Sequence, residues 1–135
     1  MVMKVKTSEL TGTALDWAVA KCEGWIKGDI THPKFCRLWR DQIRTPAAYP
    51  STNWAQGGPI IEREITKIFR NVGGTWSAML LKDVPIPFEE RGTSLALTRR
   101  AQWNGAGPTP LIAAMRCYVA SKLGDIVEVP EELFE

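Results

Sequence analysis

The chain has 135 residues, 17 Lys+Arg against 15 Asp+Glu for a net charge of +2, and 44% apolar and 24% charged residues. A chain of this length forms one domain that buries a core without disulfide or metal support, and so small a charge makes no case for nucleic acid. Cys22, Cys36 and Cys117 form no CxxC, His32 is the one histidine, and no run reads as a signal peptide or a membrane span; the expectation is a soluble protein of a reducing cytoplasm with no zinc site.

Residues 2–6 alternate apolar and basic side chains, the period of a strand, and Thr7 and Ser8 then offer caps. Residues 11–22 read as a helix stopped by Gly24, with Leu10, Ala14, Trp17, Ala18 and Cys22 as its apolar stripe, which assigns Trp17 to the core. Residues 25–58 are polar and broken by Pro33, Pro46 and Pro50. Within them, residues 33–43 are expected to form a short helix with Phe35, Leu38 and Trp39 inward. Lys34, Arg37, Arg40 and Arg44 then lie outward, as a solvated face or a contact surface. A helix is expected from Pro59 through Glu64, extended by Ile65, Ile68 and Phe69. A turn follows at residues 71–74, a strand at 75–81, a loop over 82–93 around Pro85 and Pro87, and a strand at 94–97. Residues 108–123 are helical, with Leu111, Met115, Tyr118 and Val119 on one stripe and Gly124 as the stop. Residues 126–129 are a last strand. One long helix near each end with short strands between them gives an α+β fold, a small antiparallel sheet packed with two main helices.

Twice a tryptophan is followed at +4 by glycine and at +5 by proline: Trp54 with Gly58 and Pro59, and Trp103 with Gly107 and Pro108. An amide residue, Asn53 or Gln102, precedes each. Gly-Pro ahead of an apolar run marks a helix start, since proline at the first helical position forfeits no hydrogen bond. Bare N–H groups at such a start can hold an anion, and a nearby tryptophan can stack on a ring. The architectural reading stands beside this one: glycine and proline punctuate most chains, and tryptophan before a turn often anchors a core.

The segments KVKTSELTGTALDWAVAKCEG, STNWAQGGPIIERE and GPTPLIAAMRCYVASKLGDIVEVPEEL, about half of the chain, resemble the NinX-like family of lambdoid phage and prophage proteins. The resemblance implies one domain over residues 1–135, with an expanded segment at about 25–50. It implies a phage origin and residence in the cytoplasm of the infected bacterium. It carries over no catalytic residue.

Signals for an enzyme are weak. Glu62 and Glu64 are two apart on a helix and diverge, and GxxxxGK[ST] is absent. The expectation is a non-enzymatic protein with no cofactor and no metal, binding a nucleotide-derived small molecule. Trp54 and Trp103 would stack on or enclose the ring, and N–H groups near Gly57, Gly58 and Gly107 would meet phosphate. Thr109 would cap or donate, and Arg63 or Arg116 would supply positive charge. Arg116 lies about two turns beyond Pro108, so the helix should carry it away from the anion end. The two helix starts are expected to converge on any pocket. In a phage protein such binding fits sequestration of a host immune signal. The alternative is a protein-interaction module that inhibits or redirects a host protein, anchored by residues of the 25–50 segment. A nucleic-acid role for Lys34, Arg37, Arg40, Arg44 and Trp39 is disfavoured by Asp41 and the near-neutral charge. A homo-oligomer would follow from an unprotected sheet edge.

Overall fold

The computed structural model describes residues 2–25, 30–41 and 48–134; Arg44 and Pro46, and Ile43 at the end of the expected second helix, lie outside the described residues. The chain starts with β1 (Val2–Lys6), as its alternation predicts, and a 3-10 turn at Thr7–Glu9. α1 (Gly12–Glu23) follows and ends at Gly24, whose φ of 65° is left-handed and suits a residue without Cβ. The expected stripe is buried except for Cys22, which is half-buried. Burial also reaches Leu15, Val19 and Ala20, so α1 is enclosed round most of its circumference rather than along one stripe.

α2 (Pro33–Arg40) is capped by His32, whose Nδ1 accepts from the Lys34 N–H at 3.2 Å. Its buried face is centred on Cys36 and Trp39, three residues apart; Phe35 flanks them. Leu38 is 41% exposed, against expectation, because it lies about 200° round the helix from Cys36.

α3 (Trp54–Glu64) begins at Trp54 and not at Pro59. Asn53 sets that start: its side-chain oxygen accepts from the Ala55 N–H at 2.8 Å. Pro59 therefore sits inside the helix, where it removes one bond to the carbonyl of Ala55. The helix does not extend through Ile68 and Phe69. Ile65 ends it, and β2 (Lys67–Arg70) turns through residues 71–74 into β3 (Trp76–Pro85). β3 runs four residues past Leu81, across the start of the expected loop. A single turn, α4 (Phe88–Arg91), leads to β4 (Thr98–Gly107). The strand expected at 94–97 is thus displaced to 98–107, and the second Trp-Gly-Pro copy is mostly strand. Pairing with β3 along its whole length, from Trp76 opposite Gly107 to Pro85 opposite Thr98, overrides the weak strand propensity of its three small residues Gly105, Ala106 and Gly107.

α5 (Pro110–Leu123) starts two residues later than Pro108, and β5 (Ile126–Pro130) closes the described fold with a 3-10 turn at Glu131–Leu133. The architecture is α+β, with α1 and α5 as the main helices and two antiparallel sheets instead of one. β1 pairs β5 from Val2 opposite Pro130 to Lys6 opposite Ile126, and the second sheet has the order β2-β3-β4. α5 lies at the centre, packed on β3, β4, α1 and α3, and eight successive residues from Ala113 to Ala120 are buried. From Lys82 to Arg100 no residue is buried; the far halves of β3 and β4 leave the body as a two-stranded arm.

Candidate functional site

A cleft of about 610 Å³ opens between the end of β1 with its 3-10 turn, the start of β5, and the three-stranded sheet. Strand alternation decides which side chains the sheet presents there. Gly105 faces α5, so its neighbours Asn104 and Ala106 face away. Ala106 lies opposite Ser77, and Ser77 opposite Phe69, giving a cross-strand row of Phe69, Ser77 and Ala106 on the outer face. Lys6, Ser8 and Asp125 contribute the polar wall. Thr7 fastens that wall, donating its N–H to the Asp125 carbonyl at 2.8 Å and its hydroxyl to the Gly124 carbonyl at 2.6 Å.

Arg116 also lines the cleft although it is only 9% exposed. Its Nε donates to the Leu10 carbonyl at 2.8 Å and its Nη1 to the Ala106 carbonyl at 2.7 Å. Among the described residues no carboxylate pairs with it, and burial pulls its pKa below the usual arginine range, though an arginine remains charged at neutral pH. Two glycines make this placement possible. A Cβ on Gly105 would stand 2.3 Å from the Ala113 carbonyl oxygen and 2.5 Å from the Cys117 nitrogen, so only glycine lets α5 lie this close to β4. A Cβ on Gly107 would stand 2.8 Å from Ile112 Cγ2 and 3.2 Å from Arg116 Nη1. The expectation that the helix carries Arg116 away from Gly107 is thereby corrected: β4 folds back along α5, and residue 116 meets residue 106.

The other residues singled out by sequence are dispersed. Trp54 is 56% exposed on the first turn of α3 and, like Trp103, does not line this cleft. Trp103 is half-buried against the core, over a separate depression with Gln102 and Asp125. Gly57 is pressed against Pro50 and Leu111, where a Cβ would stand 2.5 Å from each of the Pro50 oxygen and Leu111 Cδ2. Gly58 has open space apart from the Trp54 ring at 4.0 Å. Arg63 is committed to Glu23: Nη2 is 2.6 Å from the Glu23 Oε2 that also accepts the Tyr118 hydroxyl at 2.5 Å. Thr109 is the cap of α5, its hydroxyl oxygen accepting from the Ile112 N–H at 3.1 Å. Only Gly107 and Arg116 are brought together beside the cleft, and the two tryptophans do not converge on it. Sequence reasoning missed Lys6, Ser8, Phe69, Asn104 and Asp125. The signal available for Phe69 was its position two residues before the Asn-Val-Gly-Gly turn, which pairs it with Ser77.

Thiol chemistry has little support. The Cys117 thiol donates to the Trp103 carbonyl at 3.3 Å, and burial pushes its pKa up to about 11; burial does the same to Cys22. His32 is used as a helix cap. Asp16, buried at 2%, accepts the Ser51 N–H at 2.9 Å and ties the entry to α3 onto α1. Among the described residues no group of three or more His, Cys, Asp or Glu could hold a metal ion, and no helix is long and apolar enough to cross a membrane.

A family model described as Bacteriophage P22, NinX matches residues 6–122. That stretch contains both Trp-Gly-Pro copies and all of the cleft lining except Asp125 and Ile126. No curated protein matches the chain.

Proposed function

The chain belongs to the NinX family of bacteriophage P22 and is a phage accessory protein, and from that premise we propose that it acts without catalysis, by binding an anionic, ring-bearing small molecule in the Arg116 cleft. The observation that carries this reading is Arg116: a nearly buried arginine with no acidic partner among the described residues, opening onto a cleft. Buried charges are ordinarily paired, and backbone carbonyls offset only part of the desolvation. A phosphate or carboxylate in the cleft completes the pairing through charge-assisted hydrogen bonds. Lys6 and Ser8 add a cation and a hydroxyl, Phe69 offers a ring face, and Asn104 a directional amide. The volume falls in the range of small-molecule sites, roughly 300–1,000 Å³.

A nucleotide-derived host signal, held in the cytoplasm of the infected bacterium and so withdrawn from the host's defence, joins these requirements in one ligand. Calorimetric titration with mononucleotides, cyclic nucleotides and ADP-ribose-type compounds tests it. One class should bind with simple stoichiometry. Ala106→Trp, which plugs the cleft from an exposed strand position, should abolish the heat, and Trp54→Ala should leave it unchanged. Silence across the panel, or binding indifferent to Ala106→Trp, would sink the proposal. The alternative, a module that inhibits or redirects a host protein, draws on the exposed Trp54 and the outward Lys34 and Arg37 of α2.

A further inference from the structure

The arm formed by the far halves of β3 and β4 carries apolar surface that nothing among the described residues covers. Alternation places Val84 on the face that bears Leu80 in the body, and the ladder continues one step further with the Ile86 N–H donating to the Leu97 carbonyl at 3.0 Å. At the tip Phe88 is 81% exposed, Leu95 96% and Leu97 65%. A ribbon of two strands is marginal in water by itself, and exposed apolar residues gathered at the end of a projection mark a contact surface.

The charges at the tip say what covers it. Arg91 is turned inward: its Nε donates to the Ile86 carbonyl at 2.9 Å and its guanidinium lies over the Phe88 ring. Arg99 reaches Glu90 at 3.5 Å. Glu89 has no partner among the described residues, so the tip presents apolar groups with an unneutralised carboxylate. The complementary surface exists on the same chain. On α2, Lys34, Arg37 and Leu38 share one exposed face by their i, i+3 and i+4 spacing. Leu38 is the one large apolar residue of that helix turned outward, and neither Lys34 nor Arg37 is paired with an acid among the described residues, whereas Arg40 is paired with Asp41.

We propose that the chain forms a twofold dimer in which the arm tip of each copy docks on α2 of the other, Phe88 against Leu38 and Glu89 against Lys34 and Arg37. A twofold axis makes both contacts at once, and each uses the same two patches.

Light scattering coupled to size exclusion, with a dilution series by sedimentation, reads the result. The native chain should run at twice its monomer mass at high concentration. Phe88→Asp should raise the dissociation constant about 30-fold or more, as loss of an aromatic anchor does. Glu89→Lys and Arg37→Glu should each raise it about tenfold, and the two together should bind at least about threefold more tightly than either alone, since the exchanged charges attract although Lys34 still opposes the new lysine. Phe88 and Glu89 are exposed on the arm, so circular dichroism of the variants should match the native spectrum. A native chain that is monomeric throughout overturns the proposal. So does a dimer indifferent to Phe88→Asp, or one in which the charge exchange fails to restore affinity.

Discussion

Residues 54–59 and 103–108 carry tryptophan, glycine and proline at the same spacing and touch the same helix, yet the first is helical and the second is strand up to Gly107. The first copy has a cap, Asn53, placed to begin a helix at Trp54. Gln102, in the matching place of the second, is already paired within the sheet opposite Leu81. Local punctuation is therefore read by its neighbours: an available cap makes a helix, and an available strand makes a strand. Each copy also holds a glycine pressed against the first turn of α5, at +3 from the tryptophan in the first and at +4 in the second. Gly57 meets Leu111, and Gly107 meets Ile112. The two segments thus make close approaches to one helix, from α3 and from β4, and their tryptophans are set by those elements to opposite fates, one exposed and one against the core.

The comparison is sharpened most strongly at the strand copy. Gly105→Ala places a methyl against backbone atoms that cannot turn aside, and should cost about 3 kcal/mol of folding stability in urea titration. A loss below about 1 kcal/mol would mean that β4 and α5 are not in the close contact described. Adjacent glycines in the helical copy should then respond unequally. Gly57→Ala meets Pro50 and Leu111 and should destabilise by about 2 kcal/mol. Gly58→Ala meets no distant part of the chain, and its gain in helix propensity is offset by the crowding of a Cβ against the Cδ of Pro59, so it should change stability by less than about 0.5 kcal/mol. Equal effects at the two positions would break the assignment of Gly57 as the packing glycine. The two helix starts should respond more modestly and alike: Asn53→Ala and Thr109→Ala each remove a cap worth about 1 kcal/mol, measured by thermal or urea unfolding. A null result at Asn53 would return the start of α3 to Pro59.

Much of the frame was legible because it rests on short-range rules. Gly24 stops α1 through its left-handed φ, residues 2–6 alternate as a strand must, and the long apolar run after Thr109 is bounded by that cap and by Gly124. β4 was hidden because its pairing partner lies more than ten residues away across an arm, and because Gly105 and Gly107 resemble turn residues. Their reason for being glycine is the nearness of α5, which no local pattern encodes. The cleft was hidden for a related reason. It is assembled from the end of β1, the start of β5 and the outer face of a sheet whose third strand had been misplaced. Arg116 was legible as a residue and not as a position, since only the return of β4 along α5 sets it beside Ala106.

The pairing of β1 with β5 has a mechanical corollary. Val2 and Pro130 stand opposite each other at the same end of the ladder, with Lys6 and Ile126 at the other. A force applied to the two ends of the described chain therefore loads this sheet one rung at a time, as a zipper, and not along its length in shear. On the C-terminal side the peeling must first draw Leu133, Val129 and Val127 out of the core, whereas β1 is largely exposed. An unfoldase pulling from the N-terminal side would therefore meet less resistance, until it reached Thr7, bonded to Gly124 and Asp125 at the wall of the cleft.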